Sequence, residues 1–174
     1  MANLKEHIRN VPDFPKKGIG FKDITTLLKN GPAFREAVDV MAKRFESKRI
    51  EKIVGIESRG FIFGSVLAYN WNIGFVPVRK PGKLPAEIVR EEYQLEYGTD
   101  SLEIHKDAIR GGETVLIVDD LLATGGTALA TVKLLERLQA EIMGMAFLIE
   151  LTFLNGREKL QGYDVFSIIE YGAE

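Results

Sequence analysis

The stretch Val115-Leu-Ile-Val-Asp-Asp-Leu-Leu-Ala-Thr-Gly-Gly-Thr127 decides how the chain reads. Val115 to Val118 are apolar and mostly β-branched, the composition of a strand buried on both faces of a parallel sheet. Two carboxylates, Asp119 and Asp120, follow at the strand's C-terminal end. A turn of small residues, Thr124 to Thr127, comes next, and a helical pattern runs from Thr127 to about Gln139. Gly125 and Gly126 let the backbone approach a ligand with no side chain in the way. Loop N–H groups and the helix N-terminus form an anion site, and Thr124 and Thr127 add hydroxyl donors. A single phosphate suits that cradle. The acidic pair would repel a phosphate and instead suits sugar hydroxyls or a hydrated metal, so a ribose 5-phosphate satisfies both halves. A Gly-Gly turn alone would read as a tight βα connection; two carboxylates at a buried strand end tip the reading to a site. The loop lacks the Gly-Lys-Ser/Thr ending of a Walker A motif and the Gly-x-Gly-x-x-Gly of a dinucleotide fold.

Outward from this stretch, the composition sets limits. With 174 residues, 45% hydrophobic and 28% charged, the chain is globular and reads as a single domain spanning 1–174. A net charge of −2 with interspersed signs argues against a nucleic-acid footprint or a polybasic membrane patch. The absence of cysteine excludes a disulfide framework and a thiolate metal site. The first ten residues do not read as a signal peptide and no apolar run has membrane-span length, so the expected location is the cytoplasm.

Residues 3–10 suit a short helix, and residues 11–26, with two prolines and two glycines, read as irregular. Phe14, Ile19, Phe21 and Ile24 are too apolar for a free tail, so residues 1–30 are expected to pack as a small hood over the sheet's end. An amphipathic helix is predicted over Pro32 to about Lys48, with Phe34, Val38, Met41, Ala42 and Phe45 as its core stripe. A strand over Lys52–Ile56 leads through Glu57-Ser58-Arg59-Gly60 into a helix ending near Asn70. Arg59 beside a helix N-terminus can hold a pyrophosphate, although the tetrapeptide alone reads rather as a surface arginine on a turn. A strand over Ile73–Val78 ends in Arg79-Lys80-Pro81-Gly82-Lys83. Alone this is a solvated basic loop; at the C-terminal edge of a parallel sheet it becomes an anion clamp. Residues 87–105 read as two polar strands, expected to project as a mobile flap able to exclude water. Glu96 is a candidate for proton handling there, with Glu91, Glu92 and Glu103 as competitors that sequence does not rank, and His105 reads as structural. Further strands are predicted at Ile142–Ile149 and Val165–Ile169. The alternation gives an α/β fold: a doubly wound, mostly parallel sheet flanked by helices, with loops 57–60, 79–83 and 119–127 at the ligand-binding end.

The central stretch resembles, over its whole length, the phosphoribosyl-pyrophosphate (PRPP) motif of the type I phosphoribosyltransferases. Its wording Asp-Asp-Leu-Leu-Ala-Thr-Gly-Gly-Thr is similar to the members that act on adenine. The match extends in family order through the hood, Glu-Ser-Arg-Gly-Phe, Arg-Lys-Pro-Gly-Lys-Leu-Pro and Leu-Glu-Tyr-Gly. The resemblance implies transfer of a phosphoribosyl group from PRPP to adenine, giving AMP and pyrophosphate. Asp119 and Asp120 would hold the ribose hydroxyls, and Ala123, Thr124, Gly125, Gly126 and Thr127 the 5′-phosphate. Arg59, Arg79, Lys83 and, on a weaker match, Lys80 would contact pyrophosphate, some of them across a homodimer interface. Adenine would lie against Phe21, its edge read by backbone groups of Gly20, Phe21 and Lys22. One N–H and one C=O meet the N1 acceptor and N6 donor of adenine, whereas a 6-oxopurine presents the opposite pattern at position 6. Glu96 is implied as the general acid/base, a cis peptide at Glu57–Ser58, and Mg²⁺ held mainly through PRPP and water with no firm protein ligand. Transferases for hypoxanthine and guanine carry an aspartate where this chain has Ala123, so the proton must be handled elsewhere, which fits Glu96. Lys22 departs from the family's usual arginine, a change that a backbone contact tolerates. Two alternatives remain at this point: a PRPP-binding regulator of the same fold, and a transferase for another purine.

Overall fold

The computed structural model describes residues 3–94 and 98–173. A 3-10 turn at Leu4–His7 leads into β1 (Arg9–Val11), which pairs antiparallel with β2 (Phe21–Asp23), Val11 opposite Phe21. The expected short helix is thus a single turn, and the segment that read as irregular contains a strand. Three-residue strands flanked by Pro and Gly carry too little alternation to be seen locally. Arg9 and Asp23, directly opposed, form an ion pair that fastens the ribbon. Helix α1 (Thr25–Leu28) follows, then α2 (Gly31–Phe45), where Asn30 caps the start by accepting the Ala33 N–H at 3.1 Å.

The main sheet takes shape from β3 (Lys52–Ile56), α3 (Gly60–Trp71) and β4 (Gly74–Val78). An antiparallel hairpin of β5 (Ile88–Gln94) and β6 (Thr99–His105) comes next. Then follow β7 (Thr114–Leu122), α4 (Gly126–Arg137), β8 (Glu141–Leu151) and β9 (Val165–Tyr171). Five strands lie in the order β4-β3-β7-β8-β9, all parallel. The chain builds outward from β3 to β4, then returns to lay β7 on β3's other side and proceeds to β8 and β9. The point of reversal, between β3 and β7, is where such sheets open a crevice beyond the strand C-termini.

The period of two in β7 divides the core. Leu116 and Val118 join Ile53, Met41, Phe45, Phe63 and Leu67 under α2 and α3, while Val115 and Ile117 join Val54, Ile56, Leu134 and Leu135 under α4. The doubly wound expectation holds, with two differences. First, β7 continues through Leu122, so Asp119 and Asp120 lie within the strand rather than after it. The eleven-residue β8 keeps pairing past the apolar run, with Asp119 opposite Phe147 and Leu122 opposite Glu150.

Second, the hairpin does not simply project. Leu102 and Ile104 are 0% exposed in the core beside α4, and two of the charges that made it read as polar, Glu91 and Glu103, are buried with basic partners. Glu91 is engaged by Arg137 and, at 3.3 Å, by Lys133; Glu103 (2% exposed) is gripped by Arg90. A glutamate counts as solvent-facing in any hydropathy pattern, and only its distant partners reveal otherwise. A backbone bridge between Arg79 and Glu103, 2.9 and 2.8 Å, joins the hairpin to the end of β4.

Candidate active site

A cavity of about 290 Å³ opens at the β3–β7 crevice. Its walls are Glu57, Ser58, Arg59 and Lys80 on one side and residues 119–128 on the other. The peptide bond Glu57–Ser58 is cis, as the resemblance implies, and Phe14–Pro15 is also cis. Gly60 starts α3 flush against β7: a Cβ there would stand 2.7 Å from the Val118 carbonyl oxygen and 2.9 Å from an Asp119 carboxyl oxygen. A glycine is what lets these two loops share one crevice.

The acidic pair has two characters. Asp119 is buried, and burial pushes its carboxyl well above the usual aspartate range; the neighbouring charge of Asp120 pushes the same way, against the pull of Arg59. Its Oδ1 accepts the Asp120 N–H at 2.8 Å. Asp120 pairs directly with the Nε of Arg59. The guanidinium of Arg59 also lies 5.5 Å from the ring centre of Phe21, which brings the β1–β2 ribbon to the cavity's mouth.

At the cation end, Glu57 organises the loops. It accepts the Lys80 N–H at 2.8 Å and takes a fork from Arg79, Nε at 3.2 Å and Nη2 at 3.1 Å. Burial opposes ionisation of Glu57, but these donors and the charges of Arg79 and Lys83 outweigh it and hold its pKa below the ordinary value. Lys80 is partly buried, which opposes its charge, yet the bonds to Asp100 and to the Tyr93 hydroxyl (3.0 Å) raise its pKa above the usual lysine value. The Thr127 hydroxyl lies 3.4 Å from the same Tyr93 hydroxyl. Gly125, with φ 77°, bends the loop into α4, so residues 123–127 run into the start of a twelve-residue helix.

The structure therefore brings together Arg59, Lys80, Asp119, Asp120, Ala123, Thr124, Gly125, Gly126 and Thr127. Arg79 is turned to Glu57, and Lys83 is exposed; neither lines the cavity. Gly20, Phe21 and Lys22 stand at its mouth through the Phe21–Arg59 contact rather than in its wall. The Lys22 ammonium is taken up by Asn10, 3.0 Å, and by the face of Tyr171, 4.6 Å. What Lys22 has left to offer a ligand is its backbone. β2 pairs on one edge only, so its outer edge is available for main-chain contacts. Glu96 lies outside the described residues.

Sequence reasoning passed over three residues. Glu57, a carboxylate at a buried strand's end, carried the same signal that singled out Asp119. Tyr93 and Asp100 carried none, because they meet only through the hairpin register that sets them opposite each other.

A profile of the phosphoribosyl transferase domain matches residues 23–171. The adenine phosphoribosyltransferase of Brachyspira hyodysenteriae is 60% identical over 168 residues, 97% of this chain and 99% of that one. The chain belongs to the adenine phosphoribosyltransferase family. The crystal structure of the family member from Thermoanaerobacter pseudethanolicus, 58% identical, superposes with a TM-score of 0.94 over 97% of this chain and 98% of its own. That from Saccharomyces cerevisiae, complexed with an imino-altritol bisphosphate and adenine, is 44% identical with a TM-score of 0.89, covering 94% and 95% of the two chains. An adenine phosphoribosyltransferase needs room for a phosphate, a ribose and a pyrophosphate in a row. The cavity gathers the glycine loop, the acidic pair and two cations, Arg59 and Lys80, in one crevice.

Proposed function

We infer that the cavity binds PRPP lengthwise, with its 5′-phosphate on residues 123–127, its ribose hydroxyls on Asp119 and Asp120, and its pyrophosphate on Arg59 and Lys80. The reaction is transfer of the 5-phosphoribosyl group from PRPP to adenine, giving AMP and pyrophosphate. The observation that carries this reading is the single crevice whose walls include the glycine loop 123–127, the carboxylates Asp119 and Asp120, and the cations Arg59 and Lys80.

Arg59 and Asp120 pair with each other at the cavity wall. PRPP supplies each with a new partner: pyrophosphate oxygens for the guanidinium, ribose hydroxyls for the carboxylate. Displacement at ribose C1 develops positive charge on the sugar and negative charge on the leaving pyrophosphate. Carboxylates beside the sugar and cations beside the leaving group stabilise both. Adenine lies against Phe21, with backbone groups of Gly20 to Lys22 reading its edge, and Glu96 manages the purine proton.

Among the described residues no cluster of three or more His, Cys, Asp or Glu is arranged to hold a metal. Of the three carboxylates at the cavity, Glu57 is paired with Arg79 and Asp120 with Arg59, which fits an Mg²⁺ held through PRPP oxygens and water; when bound it would supply charge stabilisation to the pyrophosphate. Among the described residues no helix is long and apolar enough to cross a membrane. The cytoplasm, and a homodimer in which Arg79 and Lys83 serve the partner's cavity, complete the proposal.

The test is product formation from PRPP and Mg²⁺ with adenine, hypoxanthine, guanine and xanthine in parallel. AMP from adenine alone is the expected result. Tight PRPP binding with no product from any base would make the protein a regulator instead, and product from another base would move the specificity.

A further inference from the structure

The connection between β8 and β9 touches the phosphate cradle from outside the cavity. A Cβ placed on Gly156 would stand 2.1 Å from the carbonyl oxygen of Ala123 and 2.8 Å from the nitrogen of Gly125, and one on Gly125 would stand 2.4 Å from the carbonyl oxygen of Gly156. These are backbone atoms that no rotamer change can move aside. Gly156 is not among the residues with a positive φ, so its lack of a side chain answers the contact, not a turn. Nor does it line the cavity.

The segment behind the contact is held firmly. Arg157 forks onto Glu150, with Nε at 3.0 Å from Oε1 and Nη2 on Oε2, and its Nη1 donates to the Val165 carbonyl at 2.7 Å. Glu150, 3% exposed, also accepts the Ser167 hydroxyl at 2.7 Å. Leu160, 1% exposed, anchors the turn Gly156–Leu160 in the core with Leu134 and Leu135 of α4. In the ladder Glu150 stands opposite Leu122, the residue before the cradle begins. The buried Glu150 carboxylate has no part in the chemistry above, and its fork to the half-exposed Arg157 ties the segment to β8.

We propose that Gly156 is a positioning residue for the 5′-phosphate: its bare backbone, clamped by the Arg157–Glu150–Ser167 cluster, is the backing against which residues 123–125 take their shape. The proposal rests on the reading of that loop as the phosphate cradle. It extends the site to a segment outside the cavity lining.

The experiment measures the affinities of ribose 5-phosphate and of inorganic pyrophosphate for the full chain, with KM for PRPP and the melting temperature alongside. In Gly156→Ala the added methyl displaces the cradle. Affinity for ribose 5-phosphate falls roughly tenfold or more, as a displacement of about 1 Å at a binding group does. Pyrophosphate, held on Arg59 and Lys80, keeps its affinity, and KM for PRPP rises while the protein stays folded. Arg157→Lys keeps the charge but loses the fork, and shifts ribose 5-phosphate in the same direction by a smaller factor. A purely structural role would lower the melting temperature and weaken both ligands alike, which overturns the proposal, as does unchanged ribose 5-phosphate binding in Gly156→Ala. Should Gly156→Ala fail to fold, Arg157→Lys decides: a selective loss of ribose 5-phosphate upholds the proposal and its absence overturns it. A wild-type chain that binds pyrophosphate but no ribose 5-phosphate would bring down the reading of the cradle itself, and this inference with it.

Discussion

In one part of the cavity wall residues 123–127 offer peptide N–H groups and two hydroxyls and no formal charge. In another, Arg59 and Lys80 offer full charges engaged by Asp120 and Asp100. The first end is a matter of shape: its donors are in place before the ligand arrives, and their value depends on where the backbone lies. The second is a matter of exchange: each cation must leave one anion to meet another, so its net gain is the difference between two strong interactions. One substrate spans both, and each end should fail in its own way.

The largest effect is expected at the shaped end. Gly125→Ala forces a methyl to within 2.4 Å of a backbone oxygen at a residue with φ 77°, and kcat/KM for PRPP should fall by about a hundredfold or more; steady-state kinetics showing a small change would mean the cradle is not preformed. Next, Glu96→Gln should reduce kcat about a hundredfold while PRPP binding stays near wild type, as loss of a proton-transfer group does; a near-normal kcat would remove Glu96 as the acid/base. Asp120→Asn should raise KM for PRPP about tenfold with the fold intact, through weaker ribose contacts and an Arg59 that has lost its charged partner; unchanged PRPP kinetics would contradict the ribose assignment.

Salt sharpens the contrast further. Pyrophosphate affinity should fall more steeply with ionic strength than ribose 5-phosphate affinity in parallel titrations, because screening acts on charge pairs; equal slopes would erase the distinction between the ends. The smallest effect concerns Glu57, whose pKa is lowered on folding. It therefore contributes stability that is present above its ordinary value of 4.5 and lost as pH falls through its lowered one. Glu57→Gln should flatten the acid limb of melting temperature against pH in that window and leave the neutral limb parallel to wild type.

The same contrast explains what could be read in advance. The cradle and the acidic pair are contiguous, and a buried strand running into a glycine loop and a helix announces itself within thirteen residues, Val115 to Thr127. The sheet was legible for the same reason: β3 and the first half of β7 are short apolar runs bounded by polar loops. The exchanging end is built from residues far apart in the chain. That Lys80 faces Asp100 and Tyr93, or that Arg79 turns to Glu57, follows only once the β3–β4 and β5–β6 registers exist. The hairpin misled for a related reason, because Glu91 and Glu103 read as solvated until Arg137 and Arg90 are found beside them. Gly156 gave no sign at all, since an Asn-Gly pair marks a turn wherever it occurs.

The backing of the cradle by Gly156 also bears on the order in which the protein comes into being. The acidic pair and the glycine loop are synthesised well before the segment that supports them, so a chain emerging from the ribosome carries its recognisable motif some thirty residues before it can shape it. Contacts of that separation are the slow ones in folding. In refolding, helix content should therefore return first and capacity to bind a sugar phosphate last, making ligand capture a clock for completion of the final strand.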